Sequence, residues 1–159
     1  MKQAMNNNTL LNAILKDAIF GANSGIVIIL ALVAGLSAVG ISTKMIIIAG
    51  LVETFSGAVV MSIISYTKAK GQLHQKGILA VFFSYVIASI IILSPFFYAQ
   101  MSRLAFLISV FNGMVMLFIL GVGKSYISEK SMIKSGLGMV LIGAIITAVA
   151  YAVGGIFSI

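Results

Sequence analysis

The sequence has no cysteine, no tryptophan, a single proline and only three acidic residues among 159. The absence of cysteine excludes disulfides and thiolate metal sites. An HExxH zinc motif and a glycine-rich phosphate loop ending in lysine are also missing from the sequence, and no nucleophile has a partner base nearby. The sequence therefore predicts a protein that is not an enzyme.

Apolar residues dominate the chain instead. Hydrophobic residues make up 61% and charged residues 8%, with a mean hydropathy of +1.20, whereas ordinary soluble domains carry about 25% charged residues. A helix needs about 20 mostly apolar residues to cross a bilayer, and five continuous runs qualify, at about 20–41, 45–66, 77–98, 104–123 and 133–157. These features predict an all-α integral membrane protein, a single five-helix domain over 1–159 with no soluble domain.

The segment before the first span has one apolar and one polar face, with Leu11 and Leu15 on the first and Lys16 and Asp17 on the second. Such a pattern is typical of an amphipathic helix that lies in the membrane interface. A second apolar run follows the first at once and no small-residue cleavage site intervenes, so we expect the N-terminus to be retained.

Basic residues are divided unequally between the two sets of loops. Eight lysines fall on the side shared by the N-terminus, the second loop and the fourth loop, namely Lys2, Lys16, Lys68, Lys70, Lys76, Lys124, Lys130 and Lys134. Only Lys44 and Arg103 fall on the other side. The positive-inside rule then predicts a cytoplasmic N-terminus and, after five crossings, a C-terminus outside the cell or in a lumen. The net charge of +7 predicts contact with anionic lipids on the cytoplasmic side and, with no basic soluble module, no nucleic-acid binding.

One acidic residue, Glu53, lies inside an apolar span. It follows Met45 by eight residues, which places it about 12 Å below the outer end of the second helix. An ionised carboxylate at that depth costs a few kcal/mol or more and usually marks a functional site. Gly50, Gly57 and Met61 share a broad helix face with Glu53, where small residues allow close packing or leave room for a polar path. The alternative is a protonated Glu53 that serves as a structural hydrogen-bond donor.

Several stretches resemble the vacuolar iron transporter (VIT) family. "DAIFGANSGIVIILALVAGLS" and "IIIAGLVETFSGAVVMSIISYTKAK" are similar to the first two helices of that family, "ILSPFF" to the end of its third, and "SGLGMVLIGAIITAVAYAVGGIF" to its fifth. The resemblance implies a homodimer of five-helix protomers with a metal path between them. It also implies export of Fe²⁺ or Mn²⁺ from the cytosol by proton antiport, with Glu53 and Met61 at the family's transport-path glutamate and methionine. The transported ion would be the only metal, with no permanently bound cofactor.

The sequence departs from the family pattern at two places. Ser24 stands where the family has an aspartate, so Ser24 and Asn23 offer neutral oxygens near the inner mouth of the path, beside a packing residue, Gly25. The segment "TKAKGQLHQK" stands where better-known members insert an acidic metal-binding domain, which makes this chain a short form. His74 in that segment is a weak ligand candidate. Metal then enters directly or is delivered by a partner.

Two other functions fit the same residues. One is an accessory membrane protein that keeps the dimeric fold without transporting, and the other is a carrier or pore for a different solute, which the missing aspartate favours. The short chain with its minimal loop favours a prokaryotic plasma membrane over a vacuole.

Overall fold

The computed structural model describes residues 2–68, 74–99, 101–128 and 131–157, and side chains within 10–67, 76–99, 101–126 and 131–157. Every regular element in these ranges is helical. The helices are α1 (Lys2–Val39), α2 (Thr43–Lys68), α3 (His74–Leu93), α4 (Pro95–Tyr98), α5 (Ser102–Ser128) and α6 (Met132–Ile156).

Five stretches of helix are long and apolar enough to cross a membrane: Leu10–Val39, Thr43–Thr67, Lys76–Tyr98, Ser102–Tyr126 and Met132–Ile156. The predicted all-helical class with five spans is therefore confirmed. The predicted interfacial helix is not a separate element, because α1 runs without a break from Lys2 to Val39. The ends of α1 and of the predicted first span also differ, since Gly40 adopts φ +79 and stops the helix.

The end of α1 is a Schellman turn. The Ile41 N–H donates to the Leu36 carbonyl at 3.3 Å and the Gly40 N–H to the Ser37 carbonyl at 3.2 Å, which is the hydrogen-bond pattern of that motif. Glycine suits the position because its φ is positive. The chain thus reverses within three residues and enters α2 at Thr43.

The spans alternate in direction, so the bundle has two distinct ends. At one end Asp17 of α1 meets Gly77 of α3, and Gly121 of α5 meets Gly136 of α6. We call this the lysine-rich end, because four of the six basic residues with described side chains lie there, all exposed: Lys16, Lys76, Lys124 and Lys134. At the opposite end the Thr43 and Ser102 hydroxyls are 2.6 Å apart, and Lys44 and Arg103 are close by in sequence. The uneven distribution of charge is therefore a feature of the fold, while its orientation relative to the cytoplasm remains a prediction.

The core is built around α1. Ile26, Ile29, Leu30 and Val33 are fully buried, and α1 packs against α2, α3, α5 and α6. Its approach to α3 is unusually close at Gly21, where a Cβ would lie 2.5 Å from the Val81 carbonyl oxygen. Small residues let helix backbones approach in this way in membranes, and this contact fixes α3 beside α1.

Pro95 interrupts the third span between α3 and α4. Because proline has no N–H, it cannot donate to the Ile91 carbonyl one turn earlier. The Ser94 hydroxyl donates to that carbonyl instead, at 2.8 Å. The neighbouring Ile92 carbonyl accepts a hydrogen bond from the buried Ser109 hydroxyl of α5, at 2.7 Å. Serine hydroxyls thus satisfy backbone groups near the break, as apolar surroundings require.

We predict that Ser109→Ala destabilises the protein by about 1 kcal/mol, because the Ile92 carbonyl loses an inter-helix hydrogen bond in an apolar interior. Ser125→Ala is the matched control on the same helix, since the Ser125 hydroxyl bonds only the Val122 carbonyl of its own helix, at 2.6 Å. Thermal unfolding in detergent, followed by circular dichroism, measures both. Equal losses in the two variants would contradict the role given to Ser109.

Candidate functional site

Glu53 lies in α2 and faces α3. Its side chain is half-buried, while Val52 and Phe55 beside it are 65% and 54% exposed and form part of the outer face of the bundle. The hydroxyl of Tyr85 on α3 donates a hydrogen bond to Glu53 Oε1 at 3.0 Å. Tyr85 is fully buried. The carboxylate is therefore held by a rigid donor on one side and lies at the edge of the bundle on the other.

Gly57 makes room for this pair. A Cβ at Gly57 would overlap the Tyr85 hydroxyl and would lie 2.6 Å from Glu53 Oε1. Any residue other than glycine would have to displace one of the two polar groups. Gly57 was expected to be a packing residue beside a path. In the structure, the absence of a side chain at Gly57 allows the Tyr85 hydroxyl to reach the Glu53 carboxylate.

Gly50, one turn before Glu53, also packs against α3. A Cβ there would lie 2.6 Å from Cδ1 of the buried Leu93. Thr54 is buried as well, and its hydroxyl donates to the Gly50 carbonyl at 2.7 Å. The side of α2 that faces α3 is therefore closely packed. The other side of the helix is exposed and carries Ser56.

The three candidates on α1 lie near the same turn of α3. A Cβ at Gly25 would lie 2.7 Å from both the Tyr85 carbonyl oxygen and Ser89 Oγ, so Gly25 is a packing residue. Asn23 and Ser24 are half-buried. Ser24 follows Asp17, at the lysine-rich end, by seven residues, which corresponds to about 10 Å along the helix. Its neighbour Gly25 packs against the backbone of Tyr85, whose hydroxyl contacts Gly57 and Glu53.

Met61 is half-buried on α2, two turns closer to the lysine-rich end than Glu53. Within the described side chains, no hydrogen bond joins Asn23 or Ser24 to Glu53. The described part of the chain also contains no group of three His, Cys, Asp or Glu residues arranged to hold a metal ion. The side chain of His74, the weak ligand candidate, lies outside the described residues, as does Glu129.

Tyr85 is the site residue that the sequence analysis missed. It lies in "AVFFSYVIAS", a run of aromatic and apolar residues that gives no periodic polar signal. One signal was available, because a tyrosine in the middle of an apolar span needs a partner for its hydroxyl. The only acidic residue inside the spans predicted from the sequence is Glu53, so the pair could have been proposed from the sequence.

The electrostatic properties of the site follow from the separation of Glu53 from the other described carboxylate. Asp17 lies at the lysine-rich end against Gly77, so Glu53 is the one carboxylate of the described chain in the middle of the bundle. Among the described side chains, its hydrogen-bond donor is the neutral hydroxyl of Tyr85. Such a carboxylate can attract a cation or a proton strongly, since little else screens it.

The comparisons with known proteins agree with the architecture. The model of the VIT family matches residues 15–78 and 73–155, which together cover all five spans almost completely. The two matched stretches overlap at residues 73–78, around the start of α3. A comparison with curated proteins gives no match. On the family match over most of its length, the chain belongs to the VIT family.

Proposed function

We propose that this protein exports a divalent cation, Fe²⁺ or Mn²⁺, from the cytosol in exchange for protons, along a path between two protomers in which Glu53 binds the ion. Family membership indicates membrane metal-ion transport, and not enzymatic catalysis, at the level of the family. The observation that carries the proposal is the placement of Glu53, half-buried in the middle of an apolar bundle and oriented by Tyr85.

The exposed face of α2 supports a dimer. Around Glu53 this face is formed by large apolar side chains that are each about half exposed or more, namely Val52, Phe55, Val59, Val60 and Ile63. Ser56 lies exposed among them. A second protomer related by a two-fold axis would cover this face and bring the partner's Glu53 opposite the first. Symmetric pairing of this kind is the commonest form of homo-oligomer.

A pair of carboxylates would explain both the binding of the metal ion and the uptake of protons in exchange for it. Two Glu53 carboxylates carry two negative charges, which neutralise one dication. Without the ion, two like charges at close range cannot both stay ionised in an apolar site, so the pair takes up a proton. Metal binding then releases protons, and protonation releases metal. Met61, about 12 Å farther along α2, offers a thioether that suits a borderline cation such as Fe²⁺ better than Ca²⁺ or Mg²⁺.

The proposal is tested in vesicles reconstituted with the purified protein and loaded with a metal-quenched dye. We expect saturable quenching by Fe²⁺ or Mn²⁺ that depends on a pH gradient and is absent from empty vesicles. Cross-linking on the same vesicles establishes whether the dimer is intact. No flux above that of empty vesicles from an intact dimer would reject transport.

The Glu53–Tyr85 hydrogen bond also favours a second candidate function, an accessory membrane protein in which this bond only holds α2 to α3. That function predicts no flux, together with a loss of stability whenever the bond is removed. A carrier for another solute would show no quenching by Fe²⁺ or Mn²⁺ in these vesicles and would need a reporter for its own solute.

We predict that Ser24→Asp raises the affinity for Fe²⁺ or Mn²⁺ by about threefold to tenfold, because it adds a negative charge beside Gly25, which packs against Tyr85, the hydrogen-bond donor to Glu53. Isothermal titration or the concentration dependence of flux measures this change. Ser24→Asn is the matched control, since it adds a neutral polar group of the same shape. Unchanged affinity in the aspartate variant would show that Ser24 does not face the ion.

A further inference from the structure

A second polar site lies away from Glu53, in a pocket of about 560 Å³ between α5 and α6 at the lysine-rich end. Its mouth is lined by Lys124 of α5 and by Ser131, Lys134 and Ser135 at the start of α6. Two lysines and two serines therefore line one volume. These groups are all hydrogen-bond donors, and the lysines are donors only, so the mouth is suited to an anion with several oxygens.

The deeper part of the pocket differs in chemistry. That part is deeper only in the sense of position along α6: it is lined by Met139 and by the exposed Ile142, which lie one to two turns beyond Lys134. From Lys134 to Ile142 the helix rises by about 12 Å. A ligand that fills the pocket must therefore be charged at one end and apolar along the other, which is the chemistry of a membrane lipid.

The surroundings of the pocket favour a lipid as well. α6 has the smallest buried share of the five candidate spans, 17%, so its surface is open to the bilayer. The sequence from residue 124 to residue 134 contains three lysines and one glutamate, a net charge of +2. Basic pockets between transmembrane helices are known to bind anionic headgroups.

We propose that this pocket binds one anionic phospholipid. The phosphate lies between Lys124 and Lys134 and accepts hydrogen bonds from the Ser131 and Ser135 hydroxyls, while an acyl chain follows Met139 and Ile142. The Ser131 side chain is available for this role, because it makes no capping hydrogen bond to the described first turn of α6. Such a lipid would join α5 to α6 at this end of the bundle, and its binding is independent of the metal path.

Native mass spectrometry of the full-length protein in detergent, titrated with dioleoylphosphatidylglycerol or dioleoylphosphatidylcholine, tests the proposal. We expect the anionic lipid to bind at least about tenfold more tightly, and the double variant Lys124→Gln with Lys134→Gln to lose about tenfold to thirtyfold of that affinity. Lys76→Gln is the matched control, since Lys76 is exposed at the same end of the bundle but outside the pocket. It should change the affinity by less than about twofold.

A variant that fills the pocket without changing its charge tests whether the cavity itself is needed for binding. A Cβ at Gly138 would meet no atom within 4 Å, so Gly138→Leu should fold, and its side chain should enter the pocket. We expect this variant to weaken binding of the anionic lipid severalfold at unchanged net charge, with normal circular dichroism. Gly138→Leu also tests lipid binding in the pocket if the double lysine variant fails to fold.

Three results would overturn the proposal. The first is equal affinity for the two lipids. The second is an equal loss of affinity in Lys76→Gln and in the double variant. The third is competition by inorganic phosphate at concentrations similar to those of the lipid, which would identify a soluble anion as the ligand.

Discussion

Glu53→Gln is expected to reduce metal flux by at least about a hundredfold while leaving the helix bundle folded. At an effective dielectric constant of about 20, removing one unit charge about 4 Å from another costs about 4 kcal/mol, and each 1.4 kcal/mol corresponds to about tenfold in affinity. The variant removes this attraction twice in a dimer. The amide oxygen of glutamine can still accept the hydrogen bond from Tyr85, so the contact between α2 and α3 survives. Dye quenching in vesicles measures the flux, and thermal unfolding measures the stability.

Tyr85→Phe is the control that separates charge from hydrogen bonding. It removes the donor to Glu53 Oε1 but keeps the carboxylate, so we expect reduced but measurable flux and a stability loss of about 1 kcal/mol. If Glu53 were only structural, Tyr85→Phe would lose stability, Glu53→Gln would keep it because the amide oxygen still accepts the hydrogen bond, and no flux would be present to lose. A folded Glu53→Gln variant with wild-type flux would place the path elsewhere.

The class of fold could be predicted from the sequence because it depends on a coarse property. About 20 consecutive apolar residues have few alternatives to a transmembrane helix, and five such runs are separated by short polar segments. The depth of Glu53 could be predicted for the same reason, since counting residues along a helix gives the rise directly. The side-chain face that carries Gly57 followed from helical periodicity alone.

Contacts between helices could not be predicted in this way. Hydrophobic periodicity distinguishes a buried face from an exposed one in water, but in a bilayer both faces are apolar, so α2 and α3 give little indication of which sides meet. The hydrogen bond from Tyr85 to Glu53 joins residues 32 positions apart. It depends on the close approach that Gly57 permits, and that approach is visible only once both helices are placed.

The position of Ser24 shows a second limit. Its expected depth rested on a first span beginning at Phe20, whereas α1 is continuous and apolar from Leu10. A charged pair, Lys16 and Asp17, interrupts the hydropathy without interrupting the helix, because a long lysine side chain can extend to the interface and Asp17 packs at Gly77. Charge in the sequence therefore predicted a first span beginning near Phe20, although the helix does not begin there.

Gly57→Ala is the second variant for which we expect a large loss of stability and flux. Gly57→Ala would place a Cβ where the Tyr85 hydroxyl lies, and Tyr85 is fully buried, so it can move only at a cost in packing. We expect a destabilisation of about 1–3 kcal/mol from overpacking, together with loss of most of the flux, because relief of the clash moves Glu53 or Tyr85. Gly123→Ala on α5 is the matched control, since its Cβ would meet no atom within 4 Å.

A double-mutant cycle identifies the cause. Tyr85→Phe removes the hydroxyl that the new Cβ would overlap, so Gly57→Ala should cost about 1 kcal/mol less in the Tyr85→Phe background than in the wild type. The rescue is partial, because Cζ of Tyr85 would still lie 2.7 Å from that Cβ. Flux should not return with stability, since the phenylalanine ring no longer orients the carboxylate. Additive stability losses would mean that Gly57 and Tyr85 are not in contact, and the proposed geometry of the Glu53 site would then fail with them.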